Sequence, residues 1–175
     1  LHQEPEYAAS LPPKIAKAIE MALADLKPRT LKAGRGREET TQHIRRYRMK
    51  DGSVRTNPGI MNPDVVAPIG EPDREVQALL VSDKDGAVGG TVNFGLHCDC
   101  IGGTEISADW TYFVRQTMKR EFGRDVNILT PIGTAGDVNH FDVFRPAPAI
   151  RGFDLSEMIG NRIAMAAMQA LDAGK

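Results

Sequence analysis

A predicted β-hairpin in the middle of the chain constrains the fold most. An apolar run from Glu75 to Ser82 is followed by the residues Asp83 to Gly86 and then by a second strand-like run from Gly90 to His97. Charged residues and a glycine between two such runs favour a tight turn. The centre of the chain is therefore expected to form two neighbouring strands of a sheet.

Three further stretches carry apolar residues at helical spacing. The first runs from Ser10, a plausible N-cap, to Leu26, with Pro12 and Pro13 in its first turn. The second runs from about Ser107 to Phe122, and the third from Asp154 to Leu171. The third is expected to open with a capping box of Asp154 and Glu157. The apolar stripes comprise Ile15, Ala18, Ile19, Ala22, Leu23 and Leu26, then Trp110, Phe113, Val114, Thr117 and Met118, then Ile159, Ile163, Ala166, Ala167 and Ala170.

Helices and strands together favour an α/β fold, a mixed α+β layered domain whose mixed sheet is flanked by helices. Short strands are also predicted at Thr30 to Ala33 and at Val126 to Thr130. The stretch 34–74 shows little periodicity and holds many glycines and prolines, so a long loop is expected there.

Size and charge exclude several classes of protein. A chain of 175 residues has room for one ordinary domain, so residues 1–175 are predicted to form a single domain. The formal net charge is −1, which gives no general attraction to nucleic acid or to anionic membranes. No apolar run approaches the roughly 18 residues of a membrane span.

The first candidate site lies where the second hairpin strand ends, at His97-Cys98-Asp99-Cys100. A strand end followed by a glycine-containing loop is a frequent place for functional side chains. All four side chains are able to bind a metal, although their spacing matches no standard zinc motif. The alternative is a histidine that only hydrogen-bonds a loop. The two cysteines have no neighbour that clearly activates them and are expected to be structural.

The second candidate site is the segment from Gly133 to His140, which follows the predicted strand at 126–130. Small residues there let backbone N–H groups approach an anion, as in an oxyanion hole. Asp137 and His140 would then orient a nucleophile or a metal. A glycine-rich turn whose aspartate caps its own backbone is the alternative, and composition alone favours it. The basic cluster at 45–48, which begins with Arg45, would bind a phosphate or carboxylate or else form a solvated loop.

Taken together, several segments resemble the N-terminal catalytic domain of the neutral, non-lysosomal ceramidase family, closest to its divergent bacterial branch. The resemblance spans most of the chain. The segments that carry it are 45–52 with 55–59, Val92-Asn93-Phe94-Gly95-Leu96-His97, Glu105-Ile106-Ser107-Ala108-Asp109, and Gly136-Asp137-Val138-Asn139-His140.

This resemblance implies a zinc amidohydrolase that cleaves the N-acyl bond of a lipid. His97 matches one zinc-binding histidine of the family, and His2 matches a histidine of its His-Thr-His motif. Arg45 matches an arginine near the substrate headgroup, and Asp137 matches the aspartate of a Gly-Asp-Val loop. Gly136 and Asp99 would contact the substrate, with Asp99 or His140 also available to complete the metal site.

Three departures from the family pattern stand out. Asn139 occupies the position of a serine tied to catalysis; an amide donates a hydrogen bond to an oxyanion but is no nucleophile. His140 replaces the following proline and would add a ligand or a general base. The family's other two zinc ligands, a Glu and a Tyr, have no counterpart in this sequence, so the chain is expected to be part of a larger ceramidase-like catalytic fold.

Three functions remain open from the sequence. The first is a zinc-dependent hydrolase of amide or ester bonds in an acylated, lipid-like small molecule. The second is a catalytically impaired remnant or ligand-binding domain. The third is a metal-free carboxylesterase that uses Ser107, which lies in no nucleophile-elbow pattern. A truncated sheet exposes unpaired edges, so homo-oligomers are expected. The resemblance alone suggests a secreted or periplasmic protein.

Overall fold

A four-stranded mixed sheet forms the centre of the computed structural model, which describes residues 4–147 and 150–174. Its strands are β1 (Thr30–Arg37), β6 (Glu75–Asp83), β7 (Gly86–Asn93) and β8 (Asn127–Leu129), in the order β1-β6-β7-β8. The pairs β1–β6 and β6–β7 are antiparallel, whereas β7 and β8 are parallel. The predicted hairpin and the short strand at 126–130 are confirmed. The bounds of the second hairpin strand are wrong: it was predicted from Gly90 to His97 but runs from Gly86 to Asn93, so His97 does not end it.

Two helices cover one face of this sheet and create the main core. The helices α2 (Trp110–Phe122) and α3 (Gly152–Ala173) pack against each other, and α3 lies across β1 and β6. A β-carbon on Gly34 would overlap the backbone of α3 at Ala170, so the glycine lets helix and strand approach closely. The α/β fold with a mixed sheet is therefore as expected. The core comprises mainly Val76, Val92, Phe94, Leu96, Trp110, Val114, Met118, Val126, Ile128, Ile159, Ile163 and Ala167.

The start of α3 differs from the prediction. The helix begins at Gly152, and its N-cap residue Arg151 makes no side-chain capping bond. Asp154 lies inside the first turn. The capping box of Asp154 and Glu157 is therefore wrong, because a positive φ of 58° at Gly152 lets the chain enter the helix two residues earlier.

The predicted loop at 34–74 is also wrong. β1 continues to Arg37, and the short strands β3 (Arg46–Met49), β4 (Val54–Thr56) and β5 (Val65–Pro68) form an antiparallel sheet in the order β4-β3-β5. Residues of β3 alternate between exposed and buried, with Tyr47 and Met49 facing inward. A two-residue pair, β2 (His43–Ile44) with β9 (Val138–Asn139), connects this region to the second candidate site.

The first helix, α1 (Pro5–Ala24), begins five residues before the predicted start. Ser10 lies inside it and donates a hydrogen bond to the Tyr7 carbonyl, so its prediction as an N-cap is wrong. Pro12 and Pro13 occupy the helix interior instead of its first turn. The apolar stripe exists, but no residue of α1 is buried. No helix among the described residues has the length and hydropathy needed to cross a bilayer.

We expect the exposed stripe of α1 to promote self-association. Ile15 and Ile19 are 57% and 56% exposed, and an apolar stripe of this kind gains free energy when a second surface covers it. Ile19→Lys should shift the chain toward monomer in size-exclusion chromatography at high concentration. Ala24→Lys, on the opposite side of the helix, is the control. A wild-type chain that elutes as a clean monomer at every concentration contradicts the prediction.

Candidate functional site

His97 lies four residues beyond the end of β7, on a segment that several core side chains hold in place. Phe94 forms a parallel bridge with Ile132, which extends the β7–β8 edge of the sheet. The side chain of Gln42, itself fully buried, donates a hydrogen bond to the Gly95 carbonyl. Trp110 Nε1 donates to the His97 carbonyl at 3.0 Å. The backbone around His97 is therefore fixed from the side of the core.

The imidazole of His97 is less constrained than its backbone. The residue is half-buried, and its Nε2 atom is buried without a hydrogen-bond partner among the described residues. A buried ring nitrogen usually has a partner, since leaving it unpaired costs about 1–3 kcal/mol. Neutral imidazole nitrogen is also the commonest protein ligand for zinc. Nε2 of His97 is thus suited to bind a metal.

The side chains of Asp99 and His140 form a hydrogen-bonded pair next to His97. His140 Nδ1 lies 3.0 Å from Asp99 Oδ1, and the His140 side chain is 13% exposed. The hydrogen bond from His140 is the main reason that the pKa of Asp99 is lowered, and the charges of His140, His97 and Arg45 lower it further against the effect of burial. The structure therefore brings together side chains from both predicted sites.

Arg45 stabilises the loop of the second candidate site through hydrogen bonds. Its guanidinium donates two hydrogen bonds to the Gly136 carbonyl, at 3.1 and 2.6 Å, and its backbone N–H donates to the Asp137 carbonyl at 2.8 Å. These contacts use one edge of the guanidinium fork and leave the NH1 group available for a ligand. Asp137 and Gly136 are both exposed.

Asn139 is buried, unlike its neighbours Gly136 and Asp137. It is 3% exposed, and its Nδ2 donates to Asn57 Oδ1 at 2.6 Å. Asn57 has a φ of 52° and donates its backbone N–H to the Arg45 carbonyl. Sequence reasoning did not select Asn57 as a site residue. Its signal was the Asn-Pro-Gly turn at 57–59, since asparagine tolerates a positive φ better than most residues.

The cysteines Cys98 and Cys100 follow His97 in the same segment of the chain. Burial, followed by the negative charge of Asp109, raises the pKa of Cys98 to about 11 and raises that of Cys100 as well. Without a bound metal, neither thiol therefore ionises readily. The described residues contain no group of three or more His, Cys, Asp or Glu side chains arranged to hold a metal. His97 belongs to no such group, and His2 lies outside the described residues.

Ser107 is exposed and accepts a hydrogen bond from the Asp109 N–H at 2.9 Å. Asp109 itself is buried and accepts four hydrogen bonds, from Trp110 N, Ser156 Oγ, Cys100 N and Ile101 N. Sequence reasoning placed Asp109 inside a helix that was expected to begin at Ser107, whereas it is the N-cap of α2. An aspartate directly before an apolar helix is an N-cap signal that the prediction missed.

Comparison with known proteins shows similarity at the level of the fold. No protein-family model matches the chain, and no curated protein matches it by sequence. A neutral ceramidase from Pseudomonas aeruginosa has a similar structure, with a TM-score of 0.63 and 20% identity over 89% of this chain. A ceramidase complexed with C2 is similar at a TM-score of 0.62 and 20% identity over 86% of this chain. The chain spans about a quarter of these structures, 24% and 23% of their lengths.

We expect Cys98 to alkylate slowly at pH 8. With its pKa raised to about 11, the reactive thiolate forms only as the pH rises through that value. The rate with iodoacetamide, followed by mass spectrometry, should be about two orders of magnitude below that of an unperturbed cysteine with a pKa near 8.5. An unstructured cysteine peptide serves as the control, and a rate profile with a midpoint near pH 8.5 contradicts the assignment.

Proposed function

We propose that the chain forms part of a metal-dependent hydrolase that cleaves an amide or ester bond in an acylated, lipid-like molecule. The observation that carries the proposal is the buried Nε2 of His97, which has no partner among the described residues and lies beside the Asp99–His140 pair. The structural similarity to two ceramidases supports the choice of an acylated substrate. Because the chain spans about a quarter of those structures, we also propose that residues 1–175 form one domain of a larger catalytic fold.

His97 would bind the metal through Nε2, and zinc suits this nitrogen. When bound, zinc supplies Lewis-acid activation of water and of the scissile carbonyl. The described residues fit one ligand of such a site, so the remaining ligands would come from His2 or from a longer polypeptide.

His140 would act as the acid–base group. Asp99 occupies its Nδ1 atom, which orients the ring and leaves Nε2 to accept and return a proton. The Arg45 NH1 group would hold the polar end of the substrate, with Gly136 and Asp99 lining the same place. Asp137 would contribute through its position in the loop that Arg45 holds.

In this proposal Asn139 does not act as the main hydrogen-bond donor to the oxyanion, the role that the sequence suggested. Its amide donates to Asn57 and the residue is buried, so oxyanion stabilisation would come mainly from N–H groups of the exposed loop at Gly136 and Asp137. Asn139 would then act by fixing the end of that loop through the β2–β9 pair.

A ligand-binding domain without turnover is the second candidate. The described residues hold no complete set of metal ligands, and Asn139 offers no nucleophile where the ceramidase resemblance places a serine. Such a domain would still present Arg45 and the loop at 136–137 to an acylated ligand. Turnover is the property that separates the two candidates.

The test combines metal analysis with hydrolysis of a p-nitrophenyl ester and an N-acyl amide. We expect zinc to co-purify and turnover to stop when a chelator removes it. His97→Ala should lower the rate by more than about 100-fold, the upper end of the loss seen when a mere partner of a ligand is removed. Lys84→Ala is the control, because Lys84 is exposed in the turn between β6 and β7, at the end of β7 opposite to His97.

Two results would contradict a metal-dependent hydrolase. Binding of the acylated ligand without any turnover, with or without zinc, assigns the chain to the ligand-binding class. Turnover that survives chelation but is lost in Ser107→Ala assigns it to the metal-free esterases.

A further inference from the structure

Four backbone groups around His97 are held by side chains from the core. Gln42 donates a hydrogen bond to the Gly95 carbonyl, and Trp110 Nε1 donates one to the His97 carbonyl. Asp109 Oδ2 accepts from the N–H groups of Cys100 and Ile101, at 2.8 and 3.0 Å. The segment is therefore fixed on both sides of His97, whereas Nε2 of the ring has no partner among the described residues.

The two side-chain oxygens of Asp109 accept hydrogen bonds from different parts of the chain. Oδ1 accepts from Trp110 N at 2.6 Å and from Ser156 Oγ at 3.2 Å, which joins the start of α2 to α3. Among residues 4–147 and 150–174, Oδ2 accepts only from the loop that follows His97. An N-cap needs one oxygen, so the bonds through Oδ2 go beyond helix capping.

Burying the Asp109 side chain costs folding free energy unless all four of its hydrogen bonds form. Asp109 is 2% exposed, and a buried carboxylate is tolerated only when it is fully hydrogen-bonded. Its φ of 54° is also unfavourable for a residue other than glycine. Strained, buried polar residues of this kind cluster where a functional group has to be held in one geometry.

We propose that Asp109 is a positioning residue that fixes the orientation of the His97 ring toward its ligand. It does so by tying Cys100 and Ile101 to the α2–α3 junction, so that the turn carrying His97 cannot shift against the core. This inference rests on the proposed function for the identity of the ligand, a divalent metal. The ordering of the ring is independent of that function.

The experiment follows the His97 imidazole by NMR in the 175-residue chain with labelled histidine, at a fixed pH and without metal. Asp109→Asn keeps an acceptor for Trp110 N but turns an N–H group toward the loop donors, so the two loop bonds are lost. We expect one narrow His97 ring resonance in the wild type and a broadened or doubled one in Asp109→Asn. His43, which has no contact with Asp109, should be unchanged.

Ser156→Ala is the matched control, because it removes a bond to Oδ1 and leaves both loop bonds intact. It should retain the narrow resonance. If Asp109→Asn does not fold, Asp109→Ser provides the measurement, since serine still caps a helix but does not reach the loop. A narrow, unshifted His97 resonance in a folded Asp109 variant overturns the proposal.

Zinc affinity and hydrolysis separate this inference from the proposed function. We expect Asp109→Asn to weaken zinc binding about 10- to 100-fold, as for other residues that orient a metal ligand, and Ser156→Ala to leave it unchanged. If the His97 resonance changes as expected but the wild type neither binds zinc nor hydrolyses an ester, the positioning role stands and the hydrolase fails. If the wild type hydrolyses esters and both variants match it in all readouts, the positioning role fails.

Discussion

The buried carboxylate of Asp109 connects the helical layer to the candidate site. It accepts hydrogen bonds from the start of α2, from α3 and from the loop after His97. The apolar core alone would fix where the helices lie on the sheet, but it would leave that loop without a directional contact. The geometry of His97 therefore depends on a polar junction inside an otherwise apolar layer.

A second buried carboxylate has a similar task on the other side of the site. Burial alone would raise the pKa of Glu38, yet hydrogen bonds from Thr40 and Thr41 outweigh burial and lower it. Its ionised form therefore stabilises the fold above its ordinary pKa, and this contribution is lost as the pH falls through the lowered value. Arg162 of α3 donates to Thr40, which ties this turn to the helix. The turn leads directly into Gln42, the residue that holds Gly95.

The sequence predicted the parts of the fold that have long apolar periodicity. The hairpin β6–β7 and the helices α2 and α3 each repeat their pattern over at least eight residues, and all were found. The strands between 43 and 68 have two to four residues, which is too short for a periodic signal. The β2–β9 pair joins His43 to Asn139, and such long-range pairing leaves no trace in local sequence.

The candidate site was predicted in part, for related reasons. A predicted strand end pointed to His97, which lies four residues beyond the strand, and a small-residue loop pointed to the segment that carries His140. Asn57 and Asp109, which hold them, each lie in a recognisable local pattern, an Asn-Pro-Gly turn and a helix N-cap. They were missed because these patterns do not show which distant groups the side chains contact. The central claim is that His97 Nε2 binds a divalent metal. An anomalous difference map at the zinc edge, from crystals of the zinc-treated chain, tests it most directly: the account predicts a peak about 2.0–2.1 Å from Nε2. A map without a peak there, with Nε2 bonded to main-chain groups, would contradict it.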